Sequence, residues 1–337
     1  MEKIVEKMRV SFLGAGSWGT SLGIMLSRQG HEIKLWEYNK PRVKRVQITY
    51  RMPKVLPGIK IPRELSYSAD MKETLEGCQV LILALPSQAL RSTLKKLPTD
   101  FKPPQLTVSL IKGIDSKTGL LPDKVWAGFF PKNPLTVLSG PSIAIEVLKG
   151  HPTAVVAASE NKSMAKKAQK LFSFENLRTY LSNDVQGVQL GGALKNVIAI
   201  ACGIAEGLGA GTNTLAALLS RGMAEISRLG VKMGANAATF AGLAGWGDVV
   251  TTVWNANSRN HRVGLAVAKG KDLKAILEEL GMVAEGVETS KIARKLSKMY
   301  SVEMPITDAT YRILFRNACP EKEITKLLSR PLKEEMG

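Results

Sequence analysis

The sequence has few cysteines and no long apolar run. Cys78, Cys202 and Cys319 are the three cysteines among 337 residues, and their spacing matches neither a CxxC motif nor a metal site. We therefore expect free thiols in a reducing compartment, the cytoplasm, and no bound metal. No run of about 18 consecutive apolar residues suggests a membrane span. The charged segment 1–8 lacks the apolar core of a signal peptide.

Acidic residues are scarce beside basic ones. The chain has 29 Asp and Glu against 47 Lys and Arg, for a formal net charge of +18. Such a surplus attracts phosphates, nucleic acid or acidic lipid. The basic residues are scattered, however, and no nucleic-acid motif, internal repeat or low-complexity segment is evident, so a solvated basic surface explains most of them. The length and the 45% hydrophobic content are typical of a globular protein with two domains.

The first informative pattern is a strand, a glycine-rich turn and a helix. Arg9–Leu13 has the pattern of a strand, and Gly14, Gly16 and Gly19 follow it in GxGxxG spacing; after a helix, His31–Trp36 has the pattern of a second strand. In this context Gly14 permits a tight turn, Gly16 lets a pyrophosphate approach the backbone, and Gly19 packs the helix on the strand. The helix N-terminus would face the anion. The pattern predicts a dinucleotide site.

The end of the second strand bears on the choice of nucleotide. Glu37 stands where an acid commonly binds the adenosine ribose diol and favours NAD. Arg42, Lys44 and Arg45 follow closely and could instead meet the 2′-phosphate of NADP. Glu37 could also be a solvated residue at a strand end. The pattern leans to NAD and leaves NADP open.

Further strands alternate with helices through the first half. They are predicted at Val80–Leu85, Leu106–Ile111, Leu135–Leu138, Thr153–Ala157 and Leu177–Tyr180. This alternation predicts an α/β fold of Rossmann type, a doubly wound and mainly parallel sheet. Ligands bind beyond the carboxyl ends of such strands, so the turns at Gly14–Gly19, Pro86–Ser87 and Lys112–Gly113 should face one crevice. Lys112 is either a ligand there or a loop charge in water. The turn at Gly140–Ala144 could begin a helix, with Ser142 as its cap.

The second half has a different character, because no convincing strand follows Asp184. Pro305 and Pro320 suit the first turns of helices. We expect a dinucleotide-binding domain at 1–183 and an all-α substrate or catalytic domain at 184–337. Helices are predicted at about 184–206, 214–229, 236–243, 262–269, 272–280, 286–299, 305–316 and 321–329.

The first of these helices carries one cation in an apolar, glycine-lined surface. Gly187, Gly191 and Gly192 leave one side almost bare, so another backbone or a ligand should come close. Lys195 either extends to water or occupies a semi-buried site suited to acid–base chemistry. The glycine-lined approach and the neighbouring Asn196 favour the site.

Two polar stretches complete the candidate chemistry. Residues 245–248 form a predicted tight turn that presents the carboxylate of Asp248, and 257–260 form a dense polar run between helices. Arg259 suits a bidentate grip on phosphate, and Ser258 and Asn260 add neutral hydrogen bonds. Separately, each stretch could be a helix cap or a solvated loop. Together with the lysine helix, they indicate a site for an anionic substrate.

At this point the sequence resembles the NAD(P)-dependent sn-glycerol-3-phosphate dehydrogenases of the bacterial and plastid kind. The matching segments occur in family order, and they span the chain from about Arg9 to about Leu328. They are Gly14–Thr20, Lys112–Gly113, Ser139–Ser142, Gly187–Val197, Gly247–Asp248, Ser258–Asn260 and Ala284–Gly286.

The resemblance implies reversible hydride transfer between NAD(P)H and dihydroxyacetone phosphate, supplying glycerol phosphate for phospholipids, in a homodimer. By the same resemblance Lys195 is the proton donor and acceptor, and Asp248 is its partner. The implied substrate contacts are Lys112, Gly140, Ser142, Lys195, Asp248, Ser258, Arg259 and Asn260. The implied cofactor contacts beyond Gly14, Gly16 and Gly19 are Ser17, Trp18, Tyr38, Lys112, Ala144, Arg259, Val283 and Glu285. Two positions depart from the family pattern: many members have a small or aliphatic residue where Trp246 stands, and a basic residue near Leu215.

Two other functions fit parts of the pattern. A β-hydroxyacid dehydrogenase also sets a helical lysine beside a dinucleotide domain, but the phosphate-suited Arg259 and Lys112 favour the first interpretation. A basic protein that binds dinucleotide or nucleic acid without catalysis is supported by the +18 charge alone.

Overall fold

A computed structural model of the chain describes residues 6–332 and 334–335, so the charged segment 1–8 lies partly outside the described residues. The chain divides into two compact units, Met1–Gln189 and Leu190–Gly337. The division falls inside one long helix, Val185–Gly207. The domain boundary predicted between residues 183 and 184 lies just before the start of that helix.

The first unit alternates strands with helices. Its strands are β1 (Arg9–Leu13), β2 (Glu32–Trp36), β3 (Arg51–Met52), β4 (Leu56–Lys60), β5 (Leu65–Ser68), β6 (Val80–Leu83), β7 (Leu106–Ser109), β8 (Thr136–Ser139), β9 (Thr153–Ala158) and β10 (Leu177–Ser182). Its helices are α1 (Ser17–Arg28), α2 (Lys40–Thr49), α3 (Met71–Leu75), α4 (Ser87–Leu94), α5 (Pro122–Ala127), α6 (Ala144–Leu148) and α7 (Lys162–Leu171).

Eight of these strands form one sheet in the order β10-β9-β8-β7-β6-β1-β2-β5. Every neighbouring pair is parallel except β8 and β9. The Rossmann-type, mainly parallel sheet is therefore confirmed. The order reverses direction beside β1, which places the switch point next to the glycine-rich turn that follows that strand.

Three strands, β3, β4 and β5, were not predicted from the sequence. β3 and β4 pair with each other in a small antiparallel sheet, and β5 forms the edge of the large one. β3 has two residues, and β4 contains Pro57 and Gly58, which are untypical of strands. Short segments of this kind have too little periodicity to be recognised.

The sheet is buried on both faces, as an α/β sheet requires. Successive side chains of β6 point to opposite faces: Leu81 and Leu83 belong to one hydrophobic cluster, and Val80 and Ile82 to another. This double burial explains why the sequence of β6 is apolar throughout. It also holds the strand ends, and the turns that follow them, in fixed positions.

The second unit consists of helices, with no strand in its described part, as predicted. They are α8 (Val185–Gly207, shared with the first unit), α9 (Thr212–Lys232), α10 (Ala237–Ala241), a π-helical turn (Leu243–Gly247), α11 (Asp248–Trp254), α12 (Arg259–Ala268), α13 (Leu273–Leu280), α14 (Glu285–Met299), α15 (Pro305–Arg316) and α16 (Pro320–Leu328). The prediction of a tight turn at residues 245–248 is wrong, because the chain passes through the π-helical turn directly into α11.

Helix α8 is the core of this unit. By length and composition it could cross a membrane, and it is the one such helix among the described residues, but its most apolar 18-residue window is completely buried in the protein. Its glycines allow close helix contacts. A Cβ on Gly191 would lie 2.3 Å from the carbonyl oxygen of Ala244, and one on Gly203 would lie 2.2 Å from that of His261. The close approach predicted for this helix is therefore made by protein backbone at both positions.

Candidate active site

The glycine-rich turn after β1 has the geometry of a dinucleotide site. Gly14 has φ +105°, and a Cβ there would lie 2.4 Å from the carbonyl oxygen of Ala84. A Cβ on Gly19 would lie 2.7 Å from the Cβ of Ala84, so α1 packs tightly against the end of β6. A Cβ on Gly16 would meet nothing within 4 Å. That open space at the start of α1 fits a pyrophosphate beside the helix N-terminus.

The end of β2 lies next to this turn, because the amide of Gly14 donates a hydrogen bond to the carbonyl of Trp36 at 3.0 Å. Glu37 follows and is only 4% exposed, so its interpretation as a solvated residue is wrong. Its Oε1 accepts from the amide of Asn39 at 3.1 Å, and its Oε2 accepts from Nη1 of Arg42 at 2.9 Å. The carboxylate is therefore engaged by its own chain.

Lys112, Gly140 and Ser142 lie together in the first unit. The ammonium of Lys112 donates to the carbonyl of Gly140 at 2.9 Å and to the Ser142 hydroxyl at 3.5 Å. The hydroxyl of Ser142 in turn donates to the Gly140 carbonyl at 3.0 Å. Ser142 does not cap α6, contrary to prediction, because Ile143 is the N-cap residue and Ala144 begins the helix. Its hydroxyl instead interacts with Lys112 and the Gly140 carbonyl.

The loop that carries Lys112 is fastened to α4 by a buried carboxylate that sequence reasoning missed. Asp115 accepts two hydrogen bonds from Arg91, at 3.2 and 3.1 Å, and one from Thr118 at 2.6 Å. Burial alone would raise the pKa of Asp115, but these hydrogen bonds outweigh it and hold the pKa below its usual value of 3.8. A single Asp in a loop carries no sequence signal for this role.

Lys195 is buried in the second unit and forms an ion pair. It is 6% exposed, and its ammonium donates to Oδ1 of Asp248, which is 1% exposed. It also donates to the hydroxyl of Thr252 at 2.7 Å, and that hydroxyl donates to the Asp248 carbonyl at 2.6 Å. Lys195 therefore does not extend to water. Thr252 was missed, although its position four residues after Asp248 would place it on the same face of a helix.

The polar run at 257–260 begins between helices, as predicted, but its second half is the first turn of α12. Ser258 is the N-cap of α12, and its hydroxyl accepts from the amide of His261 at 3.4 Å. The side-chain amide of Asn260 donates to Oδ1 of Asn196 at 2.8 Å, and its oxygen accepts from the amide of Gly286 at 2.9 Å. Asn260 thus joins α8 to the start of α14.

Arg259 lies beside the start of α14. Its Nη1 donates to the carbonyl of Val283 at 2.7 Å, two residues before Glu285 begins that helix. Three of the predicted cofactor contacts come together within the second unit: Arg259, Val283 and Glu285. Their roles toward a ligand stay predictions.

The predicted site residues divide between the two units. Those in the first unit are Gly14, Gly16, Ser17, Trp18, Gly19, Tyr38, Lys112, Gly140, Ser142 and Ala144; those in the second are Lys195, Asp248, Ser258, Arg259, Asn260, Val283 and Glu285. Tyr38 is 73% exposed, whereas Trp18 packs partly against the core. Across the described part of the chain, no group of three or more His, Cys, Asp or Glu residues could hold a metal ion.

Comparison with known proteins places both halves of the chain in one family. The sequence model of the NAD-dependent glycerol-3-phosphate dehydrogenase N-terminus matches residues 9–165, and that of the C-terminus matches residues 184–325. A glycerol-3-phosphate dehydrogenase [NAD(P)+] of Clostridium perfringens is 41% identical over 327 residues, which is 97% of this chain and 99% of the relative. This chain belongs to the glycerol-3-phosphate dehydrogenase family.

Other relatives agree with this assignment. The enzyme of the same name from a Thermoanaerobacter species is 44% identical over 98% of this chain and 99% of its own length. The crystal structure of glycerol-3-phosphate dehydrogenase from Coxiella burnetii superposes with a TM-score of 0.92 at 35% identity, covering 96% of this chain and 99% of that one. The resemblance identified from the motifs is confirmed. The comparisons support neither the β-hydroxyacid dehydrogenase nor the non-catalytic binding protein.

Proposed function

We propose that this chain catalyses the reversible reduction of dihydroxyacetone phosphate to sn-glycerol 3-phosphate with NADH or NADPH. The observation that carries the proposal is the buried ammonium of Lys195, paired with Asp248 in a chain that matches the dehydrogenase family in both halves. An ion pair with so little exposure is costly to desolvate. A catalytic requirement gives a reason for keeping it.

The first unit suits the cofactor. The open space at Gly16 and the backbone of the first turn of α1 fit a pyrophosphate, and Ser17 and Trp18 are the first residues of that helix. These residues would hold the dinucleotide through backbone N–H groups. When bound, the nicotinamide supplies or accepts the hydride.

Lys195 would handle the proton at the substrate oxygen. A ketone that becomes an alcohol needs a proton at oxygen while hydride reaches carbon, and an ammonium stabilises the negative charge that develops there. Asp248 and Thr252 both accept hydrogen bonds from the Lys195 nitrogen, so its position is set before substrate arrives. In the reverse direction the same nitrogen would accept the proton from the alcohol.

Cationic and hydroxyl groups would bind the phosphate. Lys112 and Ser142 form one such cluster, and Arg259 at the start of α12 offers a guanidinium suited to phosphate oxygens. Asn260 makes hydrogen bonds within the protein, so its contribution would include holding α12 in place as well as contacting the ligand.

Initial rates with dihydroxyacetone phosphate and each reduced nicotinamide test the activity. Replacing Lys195 by Ala should lower kcat by roughly 10²–10⁴-fold, the usual contribution of a positioned acid, while NADH or NADPH still binds. Lys232→Ala is a matched control, because Lys232 is an exposed lysine at the end of α9. Normal turnover in the Lys195 variant would reject the role of that residue. Turnover of 3-hydroxy acids without activity on the triose phosphate would favour the related dehydrogenase class.

We further propose that the protein acts in the cytoplasm as a homodimer and supplies glycerol phosphate for phospholipid synthesis. The three cysteines are free, which suits a reducing compartment. Light scattering of the purified chain at micromolar concentration tests the dimer. A monomeric mass with full activity would contradict it.

A further inference from the structure

The end of β2, in the first unit, holds a pair of charged residues whose arrangement bears on which nicotinamide is used. We propose that Arg42, anchored by the buried Glu37, binds the 2′-phosphate of the adenosine ribose, so that the chain prefers NADPH to NADH. The inference rests on the proposed function, because it concerns the cofactor of the same site.

Glu37 has little exposed surface with which to accept from a ribose diol, the role that an acid has at this position in NAD-binding sheets. The residue is buried, and each of its two oxygens already accepts a hydrogen bond, one from the Asn39 amide and one from Arg42. Its negative charge is also compensated by the guanidinium 2.9 Å away. The repulsion by which an acid rejects a 2′-phosphate is therefore weakened.

The side chain of Arg42 is ordered and partly exposed, which suits it to bind an anion. Its Nη1 donates to Glu37, its backbone amide donates to Oδ1 of Asn39 at 2.9 Å, and its side chain is 39% exposed. A guanidinium has five N–H donors in a rigid fork, so one edge can bind Glu37 while the rest faces a phosphate. Because the side chain is already ordered, binding loses little conformational entropy.

Glu37 and Arg42 lie close to the glycine-rich turn that follows β1. The hydrogen bond from Gly14 to Trp36 joins the glycine-rich turn to the residue that directly precedes Glu37. In doubly wound sheets the adenosine ribose lies beyond the carboxyl end of this second strand. Arg42, in the first turn of α2, is thus in the part of the fold where the 2′ position is recognised.

The surrounding charge favours the more anionic cofactor. From Tyr38 to Arg63 the chain contains eight basic residues and no Asp or Glu: Lys40, Arg42, Lys44, Arg45, Arg51, Lys54, Lys60 and Arg63. Most of these side chains are exposed. A field of one sign raises the local concentration of a ligand of the opposite sign, and a 2′-phosphate adds negative charge to the dinucleotide.

Direct cofactor binding tests the inference without relying on turnover. NADPH and NADH are titrated into the purified full chain and followed by the fluorescence of the reduced nicotinamide. The wild-type chain should bind NADPH more tightly. Arg42→Ala should weaken NADPH binding roughly 10- to 100-fold, the size of a lost charge-assisted hydrogen bond. It should not weaken NADH binding by more than about twofold, because NADH has no 2′-phosphate for the guanidinium to contact.

Two further variants isolate the cause. Arg51→Ala removes an exposed arginine of the same basic stretch, on β3, and should change the binding of either cofactor by no more than about twofold. Glu37→Gln keeps an acceptor for the Asn39 amide and removes the charge. It should leave NADH binding unchanged under our inference, whereas a carboxylate that held the ribose diol would lose NADH affinity.

Three results would overturn the inference: tighter binding of NADH by the wild-type chain, equal losses for both cofactors in Arg42→Ala, or selective loss of NADH in Glu37→Gln. NADPH binding that depends on Arg42, in a chain that does not reduce dihydroxyacetone phosphate, would contradict the proposed function and leave the inference standing. Binding of neither cofactor would contradict both.

Discussion

The ion pair between Lys195 and Asp248 should behave as a single unit in the stability of the protein. Asp248→Asn keeps the shape of the side chain and removes its charge, which leaves the buried ammonium of Lys195 without its counter-ion. Lys195→Met removes the positive charge and leaves the buried carboxylate of Asp248 without its counter-ion. Breaking a buried pair from one side costs about 3–5 kcal/mol, because the remaining charge loses its counter-ion in a site with little access to water. We expect each single substitution to lower the free energy of unfolding by about this amount.

The double variant, Lys195→Met with Asp248→Asn, should lose much less free energy of unfolding than the two single variants lose together. With both charges removed, no uncompensated ion stays buried, and a neutral replacement of similar volume is often close to neutral in stability. A double-mutant cycle in urea at 25 °C, followed by circular dichroism, gives the coupling energy. We expect a coupling of several kcal/mol, well above the 0.3–0.5 kcal/mol of independent sites.

An exposed pair serves as the matched control. Lys291 and Glu288 on α14 lie 2.9 Å apart, but about two fifths of each side chain is exposed, at 43% and 39%. The cycle of Lys291→Met and Glu288→Gln should give a coupling below about 1 kcal/mol. Additive effects at Lys195 and Asp248, or a cost below about 1 kcal/mol for Asp248→Asn, would refute the reasoning from buried charge.

Two further substitutions in the second unit test the pKa of a buried carboxyl group and the tightness of a helix contact. Burial raises the pKa of Glu225 from 4.5 to about 7, against hydrogen bonds from Ile306 and Thr307. The native state therefore binds this proton more tightly than the unfolded state, and roughly 3 kcal/mol of stability present below pH 4.5 is lost as the pH rises through 7. Urea midpoints measured across that range should fall more steeply for the wild type than for Glu225→Gln, and parallel profiles would contradict this assignment. Gly191→Ala should destabilise the protein by about 1–3 kcal/mol, because its Cβ would lie 2.3 Å from the Ala244 oxygen; an unchanged urea midpoint would show that the helices separate at little cost.

Local signals account for most of the secondary structure. β1 begins and ends at the predicted residues, and the other six strands expected in the sheet appear with ends shifted by no more than two residues. Pro305 and Pro320 begin α15 and α16 as expected. These features depend on periodicity and on the restricted backbone of proline, which act within a few residues and are visible in any single sequence.

The π-helical turn and α11 were missed because their local signals point the wrong way. Gly245, Gly247 and Asp248 favour a turn by composition. In the structure this turn packs against α8, where a Cβ on Gly191 would lie 2.3 Å from the Ala244 carbonyl oxygen and 3.5 Å from the Cα of Gly245. Tertiary packing therefore overrides the preference for a turn.

The sequence alone determined the alternation of strands and helices, the glycine-rich turn and the chemical groups available, because each depends on residues that are near one another in the chain. The tertiary structure decided what Lys195 and Glu37 do. Lys195 is paired because α11 brings Asp248 to it across 53 positions of sequence, and Glu37 is buried because its carboxylate is closed in by Asn39 and Arg42 at the end of a packed strand. Burial and charge compensation are properties of the folded chain, since both depend on which surfaces are removed from water together.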